Sequence, residues 1–321
     1  LDGFRANFSD YFETLDLGRE LLGERAIPIV LGPVTLLSLA RLDHPIEQAL
    51  EALLPLYREL LQELAGRRVP EVQLHEPQLV VGGSQALKPL YQRAYSALAE
   101  TGLPLNLVTY FDDLGAAYPW AVQLPVSILT LDFTRGDNLG LIRRHGWPRD
   151  KALCAGVIDG RNIWRIRPAE VTPLVEQLEQ LANLRISASC SLQFVPYRAD
   201  RETHLAPQLQ AVLSFAQEKL TELASLAAGA EQLQPAGQAW EDFESSALGE
   251  PGVRARLQEL RSNSFARQTP YAERRAKQIQ LPPFPLTTIG SFPQTAEVRR
   301  LRNRLSRGEI SEAEYRAGVD A

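Results

Sequence analysis

Methionine is absent from all 321 residues and the chain opens on Leu1, so no translation start lies within it. The sequence is therefore expected to be an excerpt of a longer protein, and it does not exclude an N-terminal targeting signal. Cysteine is scarce. Cys154 and Cys190 are too few for a disulfide framework and suit a reducing compartment, with the cytoplasm as the default expectation. Lysine is scarce too, at Lys88, Lys151, Lys219 and Lys277 only. The longest uncharged apolar stretch, Ala26 to Ala40, is broken by Gly32 and Pro33. It falls short of the roughly 20 residues a bilayer-spanning helix needs, so no membrane partner is expected. An excess of positive charge is also missing: net charge is −5 and the pI is about 5.6. The chain has no global basic field of the kind that draws proteins to phosphate backbones, so nucleic acid is not an expected partner.

What is present is a chain with 45% hydrophobic and 23% charged residues, a balance that folds as one large domain or two. Six short stretches rich in β-branched and aliphatic residues recur at 27–31, 70–75, 105–111, 124–133, 152–158 and 185–190, each followed by a helical pattern. Strand then helix, six times over, argues for an α/β fold with a parallel sheet. Leu53, Leu56, Leu60, Leu61 and Leu64 fall at the spacing of a helix with one buried face. Pro55 interrupts that pattern, so the helix either starts there or is kinked there. A closed (β/α)8 barrel needs eight units, and six are counted. The first domain is therefore expected to be a TIM-type barrel lacking its first two units.

After the sixth strand the pattern predicts one long helix from about 202 to 226, then a linker rich in Ala, Gln, Glu, Gly and Pro. Charged helical patterns follow around 253–262 and 271–280. Pro282, Pro283 and Pro285 then precede a new apolar strand, Leu286 to Ile289. The expected domains are a barrel over 1–226, a helix-bearing linker over 227–283, and the start of a second barrel over 284–321. The last segment is too short to bury a core of its own.

The ten residues LTTIGSFPQT at 286–295, entered through prolines and followed by EVRRLR, carry a resemblance. Further matches run in order along the chain: LGPVT at 31–35, LLPLYRELLQEL at 53–64, EPQLV at 76–80, TYF at 109–111, GRNIWR at 160–165 and SCSL at 189–192. Together these closely resemble the cobalamin-independent methionine synthase family. The resemblance implies two (β/α)8 barrels, of which this chain holds the later six units of the first, the linker and the first strand of the second. It also implies a methyltransferase that moves the N5 methyl of 5-methyltetrahydropteroyltri-L-glutamate to the sulfur of homocysteine. A tertiary-amine methyl is a reluctant electrophile, so the sulfur must attack as thiolate, and zinc is the usual device for stabilising one. In the family the Zn2+ ligands are a His, two Cys and a Glu on later strands of the second barrel, so no metal ligand or catalytic residue is expected within this chain. The full-length protein is expected to be monomeric.

Ile289, Gly290 and Ser291 match the family's homocysteine-contacting positions. Gly290, with no Cβ, allows backbone to approach a ligand, and Ser291 offers a hydroxyl and an N–H to a carboxylate. A plain strand-to-loop turn is the alternative for these three. Arg161 and Arg165 are weaker candidates for the anionic folate polyglutamate tail, through their guanidinium forks. The competing and favoured reading is a loop pinned by Trp164 packing and an ion pair. His75, Glu76 and Cys190 fall at predicted strand ends and suggest a zinc site on paper. They lie on strands well separated around a barrel and lack a fourth ligand, which argues against it. The family usually has Asp before this Glu, and a His shortly after SCSL, where Gln193 and Phe194 stand. Cys154 reads as a small buried apolar residue, and Arg274, Arg275 and Lys277 as a solvated helix face. A non-catalytic scaffold barrel, or another barrel enzyme, remains the alternative to the methyltransferase.

Overall fold

The computed structural model describes residues 6–246, 251–260, 265, 267–286 and 294–320. Two compact units divide the chain, one through Pro251 and one from Gly252 onward.

In the first unit, helix α1 (Ser9–Leu22) leads to β1 (Ile29–Leu31) and α2 (Pro33–Leu39); α3 (Ile46–Gly66) leads to β2 (Val72–His75), and α4 (Lys88–Ala99) to β3 (Leu105–Val108). The short α5 (Tyr118–Ala121) precedes β4 (Ile128–Asp132); α6 (Asn138–His145), β5 (Ala152–Ile158), α7 (Pro168–Leu181) and β6 (Asn183–Ala188) follow. The six strands form one all-parallel sheet in the order β1-β2-β3-β4-β5-β6. The sheet does not close on itself among the described residues, so this is an open arc of the (β/α)8 type, as the count of six units implied.

Strand alternation explains which way the arc faces. Val72, Leu74, Leu105, Leu107, Leu129, Leu131 and Leu153 join one core with the buried faces of α3 and α4. The opposite face carries Gln73, Asn106, Thr130, Cys154 and Arg185. There Thr130 Oγ1 donates to Asn106 Oδ1 (2.8 Å), Asn106 Nδ2 donates to Glu71 Oε1 (3.3 Å), and Arg185 also bonds Glu71. A polar net thus lines the inside of the arc. Ile29 and Leu31, in register with Gln73 and His75 on that inner face, are left exposed at the β1 edge. Cys154 is buried as expected.

Local sequence sets the helix ends. Pro33, Pro89, Pro119, Pro168, Pro207 and Pro235 each sit in a first helical turn, where a missing N–H costs nothing. Asp137 caps α6 by accepting the Gly140 N–H at 2.8 Å. Pro55 lies inside α3, which runs unbroken on both sides of it. The amphipathic stripe, with Leu54, Tyr57, Leu60, Leu61 and Leu64 buried, outweighs the one backbone bond that proline removes.

The expected helix over 202–226 does not form as one element. It is split into α8 (Pro207–Ala211) and α9 (Ala216–Ala228). The reason lies in the backbone between them. Arg165 N–H donates to Val212 O and Ser214 N–H to Ile163 O, both at 2.8 Å, making an antiparallel bridge that pulls 212–215 out of helical geometry. The Ala-, Gln- and Gly-rich stretch after it is also ordered. A 3-10 turn (Ala230–Leu233) leads into α10 (Gln234–Ser245), with Leu233, Ala236 and Ala239 buried and α10 packed on α7 and α8.

The elements described in the second unit are all helices. Helix α11 (Pro251–Glu259) opens it, and α12 (Tyr271–Arg275) is shorter than the expected 271–280. Arg275 and Lys277 are exposed as expected, while Arg274 is half-buried over the Tyr271 ring. Helices α13 (Ala296–Ser306) and α14 (Glu312–Val319) pack on each other, the first capped by Thr295 and the second by a Ser311/Glu314 capping box. The expected strand Leu286 to Ile289 falls, beyond Leu286, outside the described residues.

Candidate functional site

A parallel sheet directs all its strand carboxyl ends, and the loops that follow them, to one side, where barrel proteins place their chemistry. Asp132, the last residue of β4, is 1% exposed. Its Oδ2 accepts the Phe111 N–H (2.9 Å), and its Oδ1 accepts both the Thr134 N–H (2.8 Å) and the Thr134 hydroxyl (2.7 Å). Phe111 is held by that bond at φ +83, a conformation that non-glycine residues rarely adopt. The Phe111 ring stands in a row of rings. His75 meets Tyr110 edge-on at 5.5 Å, Tyr110 meets Phe111 at 4.7 Å, and Phe111 meets Phe194 at 5.7 Å. Arg161 lies over the Phe111 ring at 4.7 Å. This face thus carries an aromatic row topped by a guanidinium.

Arg165 has other partners. It stands 3.8 Å from Glu222 on α9 and lines a cavity of about 740 Å³ bounded by the carboxyl ends of β4 and β5, loop 160–167, α7, α9 and α10. Trp164, Arg167, Lys219, Trp240 and Phe243 line it as well. The loop is pinned from both sides. The Trp240 indole donates to Ile166 O (3.1 Å), and Lys219 Nζ donates to Trp164 O (3.1 Å) and Asn162 Oδ1 (3.3 Å). Burial pushes the Lys219 ammonium below the ordinary lysine range and the Glu222 carboxyl above the ordinary carboxylate range, each charge partly offsetting the other's shift. Asp132, Phe111, Lys219 and Trp240 were not singled out from sequence. The one available signal was a lysine among apolar positions of a helix in a chain almost without lysine.

The paper zinc site is not assembled. His75 and Glu76 are neighbours along one extended stretch and so point to opposite faces. His75 sits by Gln73 (3.3 Å) on the inner face. Glu76 is fully buried toward the helices, where its oxygens accept the Val34 and Thr35 N–H groups (3.2 and 2.7 Å) and the hydroxyls of Tyr91 and Tyr95 (3.3 and 3.4 Å). Desolvation raises its carboxyl to about 7 despite those donors. The Cys190 thiol contacts Ser191 O, and burial raises it. Among the described residues no group of three His, Cys, Asp or Glu side chains is placed to hold a metal ion. No helix among them is long and apolar enough to cross a membrane. Ile289, Gly290 and Ser291 lie outside the described residues.

Residues 2–183 match the family described as "Cobalamin-independent synthase, N-terminal domain", and residues 284–321 match "Cobalamin-independent synthase, Catalytic domain". The chain belongs to the cobalamin-independent synthase family. It is 49% identical to a 5-methyltetrahydropteroyltriglutamate–homocysteine methyltransferase of Thermosynechococcus vestitus, over 98% of this chain and 43% of that protein. Proteins of the same name from a Synechococcus strain and from Trichodesmium erythraeum are 48% and 45% identical, over 98% and 99% of this chain and 43% and 44% of theirs. The chain thus spans less than half the length of these curated relatives. Strands β1 to β5 of the arc lie within the N-terminal-domain match, which ends at the first residue of β6, and the catalytic-domain match begins only at residue 284.

Proposed function

We propose that the protein containing this chain transfers the methyl group of 5-methyltetrahydropteroyltriglutamate to homocysteine, giving methionine without cobalamin. The observation that carries this reading is the pair of family matches in one chain, N-terminal domain then catalytic domain, in the order the family name requires. The names of the relatives supply the two substrates. In this reading the domains are a first-barrel segment over 1–226, a linker with helices over 227–283, and the opening of the catalytic barrel over 284–321. The fragment alone is inactive. Ile289, Gly290 and Ser291 contact homocysteine, and Arg161 and Arg165 contact the polyglutamate tail, Arg161 from its place over the Phe111 ring at the strand-end face and Arg165 from beside Glu222. The protein works as a monomer in the cytoplasm, a setting to which its two free cysteines conform.

Zinc belongs to the proposal as the group that would hold the homocysteine thiolate. The described residues do not fit it, since they offer no set of three ligands. Its ligands are assigned to sequence outside this chain. Homocysteine titration of the intact protein before and after metal chelation tests the reading. Saturable binding that chelation abolishes is expected, and failure of the metal-replete protein to bind homocysteine overturns it. Gly290→Ala, which adds a Cβ at a proposed homocysteine-contacting position, is expected to raise the homocysteine KM by about tenfold.

A further inference from the structure

Phe111 stands where a glycine would be at ease. Its φ of +83 lies in a region that side chains with a Cβ rarely adopt, and yet the position carries a large ring. A bulky residue in such a conformation needs surroundings that hold it there, and residues of this kind cluster at ligand sites. The holder is Asp132. Its Oδ2 accepts the Phe111 N–H at 2.9 Å, while Oδ1 is taken by the N–H and the hydroxyl of Thr134 (2.8 and 2.7 Å). Asp132 is 1% exposed, and Arg135, three residues on, faces Asp159 (3.8 Å) rather than Asp132. A buried carboxylate met by neutral donors is costly, so a loop that only needed closing would be closed at less cost by a neutral acceptor.

What the held ring supports is a guanidinium. Arg161 is exposed and lies over the ring at 4.7 Å, and its own backbone N–H is fixed on Asp159 Oδ1 at 2.8 Å. Neighbouring cations are engaged, Arg135 with Asp159 and Arg165 with Glu222 (both 3.8 Å), whereas the Arg161 head makes no ion pair among the described residues. A ring beneath a guanidinium fixes its plane and leaves its N–H edge to present a fork to a carboxylate. We propose that Asp132 is a positioning residue for the folate tail: by holding Phe111 in its left-handed conformation, it keeps Arg161 presented to a tail carboxylate at the strand-end face. This rests on the proposed contact of Arg161 with the polyglutamate, and adds that the placement of Arg161 is set from the end of β4, through one intervening side chain.

The test is the ratio of two dissociation constants on the intact protein, for 5-methyltetrahydropteroyltriglutamate and for 5-methyltetrahydropteroate, which lacks the tail. General loosening of the structure weakens both ligands, while a misplaced Arg161 weakens only the one with a tail. The wild type is expected to prefer the triglutamate, and Arg161→Met to lower that preference about tenfold. Asp132→Asn, which keeps the size and gives up an acceptor, is expected to lower it about fivefold. Should that variant fail to fold, Phe111→Leu, at a half-buried position, serves in its place with a similar expected loss. Thr134→Val removes a bond of the same carboxylate and spares the one to Phe111, and is expected to hold the preference within about twofold. No preference in the wild type, or its persistence in Arg161→Met, would remove the tail contact and the positioning role together. A preference that Arg161→Met loses but folded Asp132→Asn or Phe111→Leu keeps, or that Thr134→Val loses as fully as Asp132→Asn, would overturn the positioning role alone.

Discussion

Glu76 shows how one buried carboxyl organises its surroundings. It joins the end of β2 to the first turn of α2 and to two tyrosines of α4, and it fits only because Gly32 leaves it room. A Cβ at Gly32 would lie 2.2 Å from Glu76 Cδ and Oε1. Gly32→Ala is therefore expected to destabilise the protein by about 3 kcal/mol, measured by urea denaturation, although its φ of −67 suits any residue. The raised pKa gives a second expectation. A carboxyl that ionises near 7 when folded and near 4.5 when unfolded holds more protons in the native state between those values. Its burial is unpenalised below about 4.5, and stability is lost as pH rises toward 7, by about 3 kcal/mol in all. Glu76→Gln is expected to remove that slope. Parallel stability curves for the two proteins across pH 4.5–8 would show that Glu76 does not titrate in this range. Sequence alone raised a metal-ligand reading at Glu76 and argued against it. It could not show that the side chain points at the N–H groups of LGPVT, some forty residues earlier.

Among the elements, α3 carries an internal cost. Pro55 is exposed, and its ring nitrogen cannot donate to the Glu51 carbonyl one turn earlier. Pro55→Ala is expected to stabilise the protein by about 1–3 kcal/mol, read as a raised midpoint in denaturant, because it restores that bond and touches no buried contact. An unchanged or lowered midpoint would mean that the helix has adapted fully to proline. Element type was legible wherever burial alone decides it. The expected strand 152–158 coincides with β5, buried along almost its whole length, and all six strands fall within or beside their expected stretches. Legibility failed where a distant partner decides. Nothing in the periodicity of 202–226 reveals that Ile163 and Arg165 will claim the backbone at 212–214, and this bridge ends one helix and begins another. The roles of Lys219 and Trp240 could not be read for the same reason, since they exist only once α9 and α10 close over loop 160–167, although a lysine among apolar helix positions was itself a signal.

For the whole molecule, the open arc leaves the outer edges of β1 and β6 without strand partners among the described residues, and Ile29 and Leu31 exposed on its inner face. Parallel sheet edges of this kind recruit other strands. The 321-residue chain alone is expected to self-associate or to require the remainder of its protein. A monomer with one cooperative melt would contradict the expectation that two strand–helix units complete the barrel. The family assignment reaches further than this arc, since the catalytic-domain match covers only 284–321. Its most direct test is incubation of the intact protein, free of cobalamin, with homocysteine and 5-methyltetrahydropteroyltriglutamate labelled in the methyl group. The account predicts labelled methionine. Folded, metal-replete protein that leaves the label on the pterin would contradict it.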